Sequence, residues 1–155
     1  PRVQLRGAFE ADGTPMRIKI EVNTHERSPA LPHERVRHSI DTTWFARSAD
    51  VLTFQTAELV ATKPRALYQR NKGRDLFDLW LALTDLEVPP SDIIDCFEPY
   101  RPEGFTARRA IANLRAKLER NDFVTDLEPL VREWPPGYGV EAAAEMVIDQ
   151  VLSEL

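Results

Sequence analysis

The spacing of apolar residues changes once along this chain, and that change decides its fold class. Over the first 23 residues apolar positions recur every second residue. Val3, Leu5, Gly7 and Phe9 alternate with Arg2, Gln4, Arg6 and Ala8, and Met16, Ile18, Ile20 and Val22 alternate with Arg17, Lys19, Glu21 and Asn23. A period of two gives a segment one core side and one solvent side, the pattern of a half-buried strand. Ala11-Asp-Gly-Thr-Pro15 between them is turn chemistry, with Gly13 free to take positive φ. The two segments therefore predict a β-hairpin. Residues 24–35, with Pro29 and Pro32, read as a loop, and 36–40 and 51–54 as shorter strands.

From Thr56 onward the spacing becomes helical. Thr56 is placed to cap a helix whose first turn holds Glu58, where the helix dipole favours an anion. Leu59, Val60, Leu67 and Tyr68 form its apolar stripe. Gly73 reads as a stop, followed by a helix over 74–87 that ends before Pro89-Pro90. Ser91 caps a third helix to about Tyr100. Three more follow over 106–120, 123–134 and 140–155, divided by Asn121-Asp122 and Pro135-Pro136-Gly137. Pro64 conflicts with the first of these helices, because an interior proline costs about 3 kcal/mol. Either the helix kinks there, or it breaks at Thr62 and restarts with Pro64 in its first turn. The reading is an α+β chain: a small antiparallel sheet over 1–55, then a helical bundle over 56–155.

The bundle contains the chain's most concentrated chemistry. Residues 63–74 hold five cations, Lys63, Arg65, Arg70, Lys72 and Arg74, and no acid. Asp75 and Asp78 come next, and then the apolar run Leu79-Trp-Leu-Ala-Leu83. On an uninterrupted helix Lys63, Arg70 and Arg74 lie seven and eleven apart, close to one line. They could cradle phosphate, with lysine as a mobile point charge and arginine as a planar fork. The alternative is a solvated basic face, the commoner fate of such a run. Asp75 and Asp78, three apart, reach one side of their helix. They could support a metal or take a proton from a hydroxyl beside a triphosphate, or Asp75 could simply pair with a nearby arginine. Glu21 on its strand could complete a metal site or face solvent.

Other residues point away from chemistry. His25, His33 and His38 have no metal-ligand spacing, and Glu10 and Asp12 abut Gly13 as turn formers. Trp44, Phe45, Phe77, Trp80 and Trp134 read as core. Cys96 is alone, which excludes a disulfide framework or a cysteine zinc site, and lies among Ile93, Ile94 and Phe97 as a buried thiol. A net charge of −5 excludes a general nucleic-acid coat. No apolar segment is long enough to cross a bilayer and no leader pattern opens the chain, so a cytoplasmic protein is expected.

Val51-Leu-Thr-Phe, Glu58-Leu-Val-Ala-Thr-Lys63, Arg65-Ala-Leu-Tyr-Gln-Arg70 and Lys72-Gly-Arg-Asp-Leu-Phe-Asp-Leu-Trp-Leu-Ala-Leu83 resemble the AbiEii/MenT-type nucleotidyltransferase toxins of abortive infection and type IV toxin–antitoxin systems. Ile18-Lys-Ile-Glu-Val-Asn23 is similar to the family's acid-bearing strand, and 122–130 to a segment of its helical tail. The resemblance implies a nucleotidyltransferase-like sheet followed by helices, Mg2+, a nucleoside triphosphate, RNA such as tRNA as acceptor, and a separate antitoxin. It also implies roles. Lys63 contacts the triphosphate, with Arg70 and Arg74 ordering the phosphates around it. Asp75 is the catalytic acid, Asp78 a supporting acid and Glu21 the strand acid, placed to hold metal. The family's Gly-Ser loop and Asp-x-Asp strand are absent from these 155 residues, and Pro64 stands where the family has Leu. The expectation is a sheet remnant, the C-terminal two thirds of the family pattern, inactive alone. A non-catalytic helical module that docks a protein or RNA is the alternative, and a remnant with neither role a third.

Overall fold

The computed structural model describes residues 2–8, 13, 15–21 and 28–155. Among them the architecture is α+β, as the change of period requires. β1 (Arg2–Ala8) pairs antiparallel with β2 (Pro15–Glu21), in a register that sets Leu5 opposite Ile18 and Arg2 opposite Glu21. Gly13 between them has φ 70°, the left-handed value for which the turn needs glycine. β3 (Glu34–Asp41) pairs with β4 (Ala46–Thr53) as a second two-stranded sheet, with Val36 opposite Val51. The two short strands read from the sequence are thus the two arms of one hairpin, each longer than predicted. Thr42 closes its tip by exchanging hydrogen bonds with Phe45, at 3.0 Å through its hydroxyl to the Phe45 carbonyl.

Every residue of β3 is exposed, so this hairpin does not contribute to the core. The core lies among the helices α1 (Thr56–Gln69), α2 (Gly73–Thr84), α3 (Pro90–Asp95), α4 (Ala107–Leu118), α5 (Asn121–Val124) and α6 (Val140–Gln150). Val60, Ala61 and Leu67 of α1, Leu76, Leu79 and Trp80 of α2, Leu114 of α4, and Val147 and Ile148 of α6 meet Phe97, Phe105 and Phe123 there. Cys96 is a buried free thiol, held above its usual range chiefly by burial and also by the charge of Glu58. Of the aromatics read as core, Trp80 is buried. Trp44 is 93% exposed at the β3–β4 tip, and Phe45 and Trp134 are also exposed. Trp134 stacks on Tyr138, with ring centroids 5.3 Å apart.

Helix boundaries depart from the sequence reading where proline or a cap intervenes. α1 continues through Pro64 as one helix. Pro64 deprives the Val60 carbonyl of its donor, and the Thr62 hydroxyl bonds the adjacent Leu59 carbonyl at 2.7 Å. The helix expected over 123–134 is only the single turn Asn121–Val124. Pro129 lies within that stretch and offers no N–H to a helix continuing past it. The third helix is also shorter. It begins at Pro90 and ends at Asp95, with a separate 3-10 turn at Glu98–Tyr100. Thr106 caps α4 by accepting from the Arg109 amide at 3.3 Å.

Gly73 opens α2; it is not the stop of α1, which ends at Gln69. A Cβ at this position would lie 2.3 Å from the Phe123 carbonyl oxygen of α5. Glycine is needed there because one backbone approaches another. Gly73→Ala should destabilise the chain by roughly 1–3 kcal/mol, measured by urea unfolding. Unchanged stability would mean that α5 does not pack as closely as described.

Candidate functional site

Two antiparallel helices bring the motif together. α1 carries Lys63, and Arg70 follows directly after its last residue, Gln69. α2 runs back beside it with Asp75 and Asp78 facing them. Lys63 Nζ donates to Asp78 Oδ2 at 2.6 Å. Arg70 donates to both oxygens of Asp75, from Nε to Oδ2 at 3.1 Å and from Nη2 to Oδ1 at 2.5 Å. The α1–α2 seam therefore carries two ion pairs.

The pairs differ in burial, and the difference assigns them different work. The Asp75 side chain is 2% exposed and that of Arg70 55%. Lys63 and Asp78 are 32% and 38% exposed. A buried carboxylate must be neutralised and hydrogen-bonded where it lies, and the bidentate guanidinium does both. The Lys63–Asp78 pair is partly wetted by solvent and worth roughly 0–1 kcal/mol.

Beside Lys63, a shallow groove of about 220 Å³ is lined by Thr62, Lys63, Arg65, Ala66, Gln69 and Arg70. Three of its six lining residues are cationic, which suits an anion. Arg65 also rests over the Tyr100 ring, 5.7 Å from its centroid.

Arg74 does not share this groove. The expected line through Lys63, Arg70 and Arg74 needs one continuous helix, but the backbone turns extended at Arg70. Arg74 instead turns toward Asp126, which accepts from the Arg74 amide at 3.4 Å and from Lys72 Nζ at 3.1 Å. Asp126 thus meets the first turn of α2, where a helix favours an anion. Glu21 lies on β2 opposite Arg2; its side chain, like Glu10, Asp12 and His25, lies outside the described residues. Glu58, read only as a first-turn acid, is buried. It accepts the amides of Ala30 at 2.9 Å and Leu31 at 2.8 Å as well as the Tyr100 hydroxyl, tying the loop before β3 to α1.

Two residues at this site escaped the sequence reading. Asp126 was hidden inside a segment predicted to be helical. Lys117 of α4 is buried, and its ammonium donates to the carbonyls of Leu67, Tyr68 and Arg70. A signal for it does exist: Lys117 falls three and seven residues after the buried Leu114 and Ala110, a cation on an apolar stripe.

Mg2+ does not fit the acids gathered here. Among the described residues no group of three or more His, Cys, Asp or Glu could hold a metal ion, and Arg70 takes both oxygens of Asp75. No helix among them is long and apolar enough to cross a membrane.

The two pairs make separable predictions. Arg70→Ala strands a buried carboxylate and should cost about 1–3 kcal/mol of stability. Lys63→Ala should cost less than about 1 kcal/mol. Equal losses in urea titrations would contradict the division between a structural pair and a solvent-wetted one.

Residues 1–146 match the family described as "Nucleotidyl transferase AbiEii toxin, Type IV TA system". The match begins at residue 1, which corrects the expectation that only the C-terminal two thirds of the family pattern is represented. No curated protein and no solved structure matches the chain.

Proposed function

The chain belongs to the AbiEii nucleotidyltransferase toxin family of type IV toxin–antitoxin systems, and on that premise we propose that its α1–α2 seam handles the triphosphate of a nucleotide destined for RNA. The observation that supports this most directly is the groove lined by three cations, one of which, Lys63, meets a carboxylate that is itself partly exposed. An incoming triphosphate displaces Asp78 from Lys63, and the Lys63 ammonium offsets the phosphate charge. Arg70 borders the same groove, and Arg74 orders phosphate from the turn beyond it.

The proposed reaction is nucleotidyl transfer to a hydroxyl of RNA, with the tRNA acceptor end as substrate. The hydroxyl oxygen bonds to the α-phosphorus, the bond from that phosphorus to the bridging oxygen breaks, and pyrophosphate leaves. Asp75 is proposed as the catalytic acid, acting while Arg70 holds it, and Asp78, freed as Lys63 turns to phosphate, takes the hydroxyl proton as the supporting acid. Glu21 is proposed as the strand acid. Family membership implies Mg2+, but the acids of this seam do not hold it and no step here is routed through it. On this reading residues 1–55 form the sheet portion and 56–155 the helical portion that carries the motif. On the same reading the system, with its antitoxin, works in the cytoplasm.

A second reading, a binding module without chemistry, draws support from one observation. Lys63, Arg70, Lys72 and Arg74 each already meet a carboxylate of the chain itself.

Calorimetric titration with tripolyphosphate separates the readings. The transfer reading expects saturable binding, weakened at least tenfold by Lys63→Ala and tightened by Asp78→Asn, which removes the internal competitor. No saturable binding, or binding indifferent to Lys63, overturns it in favour of the module. Labelling of tRNA from a radiolabelled nucleoside triphosphate with Mg2+, lost in Lys63→Ala and Asp75→Ala, would support transfer while refuting the expected inactivity of the chain alone.

A further inference from the structure

We infer that Lys117 is a positioning residue for this site: from α4 it holds the carbonyl end of α1 and thereby sets where Arg70 presents its guanidinium to Asp75. The consequence for phosphate binding rests on the reading above; the hold on α1 does not.

The last carbonyls of a helix have no partner within it, and they carry the negative end of the helix dipole. α1 has no basic residue in its own last turn. Its carbonyls are met from a distant helix instead. Lys117 Nζ donates to the carbonyl of Tyr68 at 3.1 Å, to that of Arg70 at 2.6 Å, and to that of Leu67. An ammonium has three N–H groups, and here all three are used.

Arg70 is the last of the three residues whose carbonyl is held. Its backbone is already extended, at φ −107° and ψ 154°, so α1 gives it no helical support. The same residue holds both oxygens of Asp75 through its side chain. Lys117 thus fixes the backbone of the residue whose side chain neutralises the buried acid. Only a long stem with a compact head suits this geometry. Arginine's planar fork cannot converge on three carbonyls in one place, and methionine has the length but no donor.

The charges that face Lys117 are known. Asp75 of α2 favours the ammonium; Arg120, just past the end of α4, opposes it. Burial opposes it most, and the group is lowered to about 8. Arg70, at the end of α1, adds a further cation to the surroundings. Below pH 8 the ammonium serves three carbonyls. Above it the neutral amine has two N–H groups for the same three acceptors, and the turn at 70–73 loosens.

The test compares the full chain with Lys117→Met, by amide hydrogen exchange across residues 66–75 and by tripolyphosphate titration from pH 6.5 to 9.5. The expected result for the Met variant is protection at 70–73 reduced at least tenfold. Tripolyphosphate affinity should fall at least fivefold at pH 7, and the decline in wild-type affinity above pH 8 should be absent. A folded Met variant that matches the wild type in protection and affinity overturns the inference. Should the Met variant fail to fold, wild-type protection factors decide. A loss above pH 8 confined to 70–73 supports the hold, and a flat profile refutes it. If the wild type binds no tripolyphosphate, the phosphate reading falls, and the exchange data alone judge Lys117.

Discussion

Asp75 is a carboxylate that folding removes from water, and the surrounding structure is arranged around that fact. An isolated buried charge is not tolerated, so α1 must end where Arg70 can reach it, and α2 must begin where the acid enters the seam. Gly73 allows that start to press against the Phe123 carbonyl. Lys117 holds the end of α1 from behind, and Asp126 meets the first turn of α2 together with Lys72. The short turn Asn71–Lys72 is thereby held from α4, from α5 and from the turn that follows α5.

That arrangement separates two kinds of ion pair that look alike in the sequence. Arg70–Asp75 is a structural element that also borders the groove. Lys63–Asp78 lies partly in solvent, its two side chains 32% and 38% exposed. Such pairing also explains why a basic run in an acidic chain need not create a strongly positive surface. Lys63, Arg70, Lys72 and Arg74 each meet a carboxylate of the chain, and Arg65 rests over the Tyr100 ring.

Much of the fold could be read residue by residue. The alternation at Met16, Ile18 and Ile20 identified β2, and the burial of Cys96 followed from its apolar neighbours, whereas Thr56 and Ser91, read as caps, lie inside helices capped by Gln55 and Pro89. Failures came where one residue outweighed a pattern. Pro129 ended a helix that the apolar spacing supported, while Pro64 did not end one, because the buried face of α1 continues on both sides of it through Val60, Ala61 and Leu67. Trp44 and Trp134, read as core by their chemistry, are exposed, since hydrophobicity alone does not say which element will cover a residue.

The sequence by itself determined the succession of strands then helices, the crowding of cations before two acids, and the family resemblance. All of these are local patterns, and local patterns survive without knowledge of the fold. Only the tertiary structure decided which acid answers which cation. Asp126 and Lys117 lie about fifty residues from the groups they hold, and Asp75 and Asp78 differ in both burial and partner. Partner choice and burial depend on which helices pack together, and that information is spread over the whole chain.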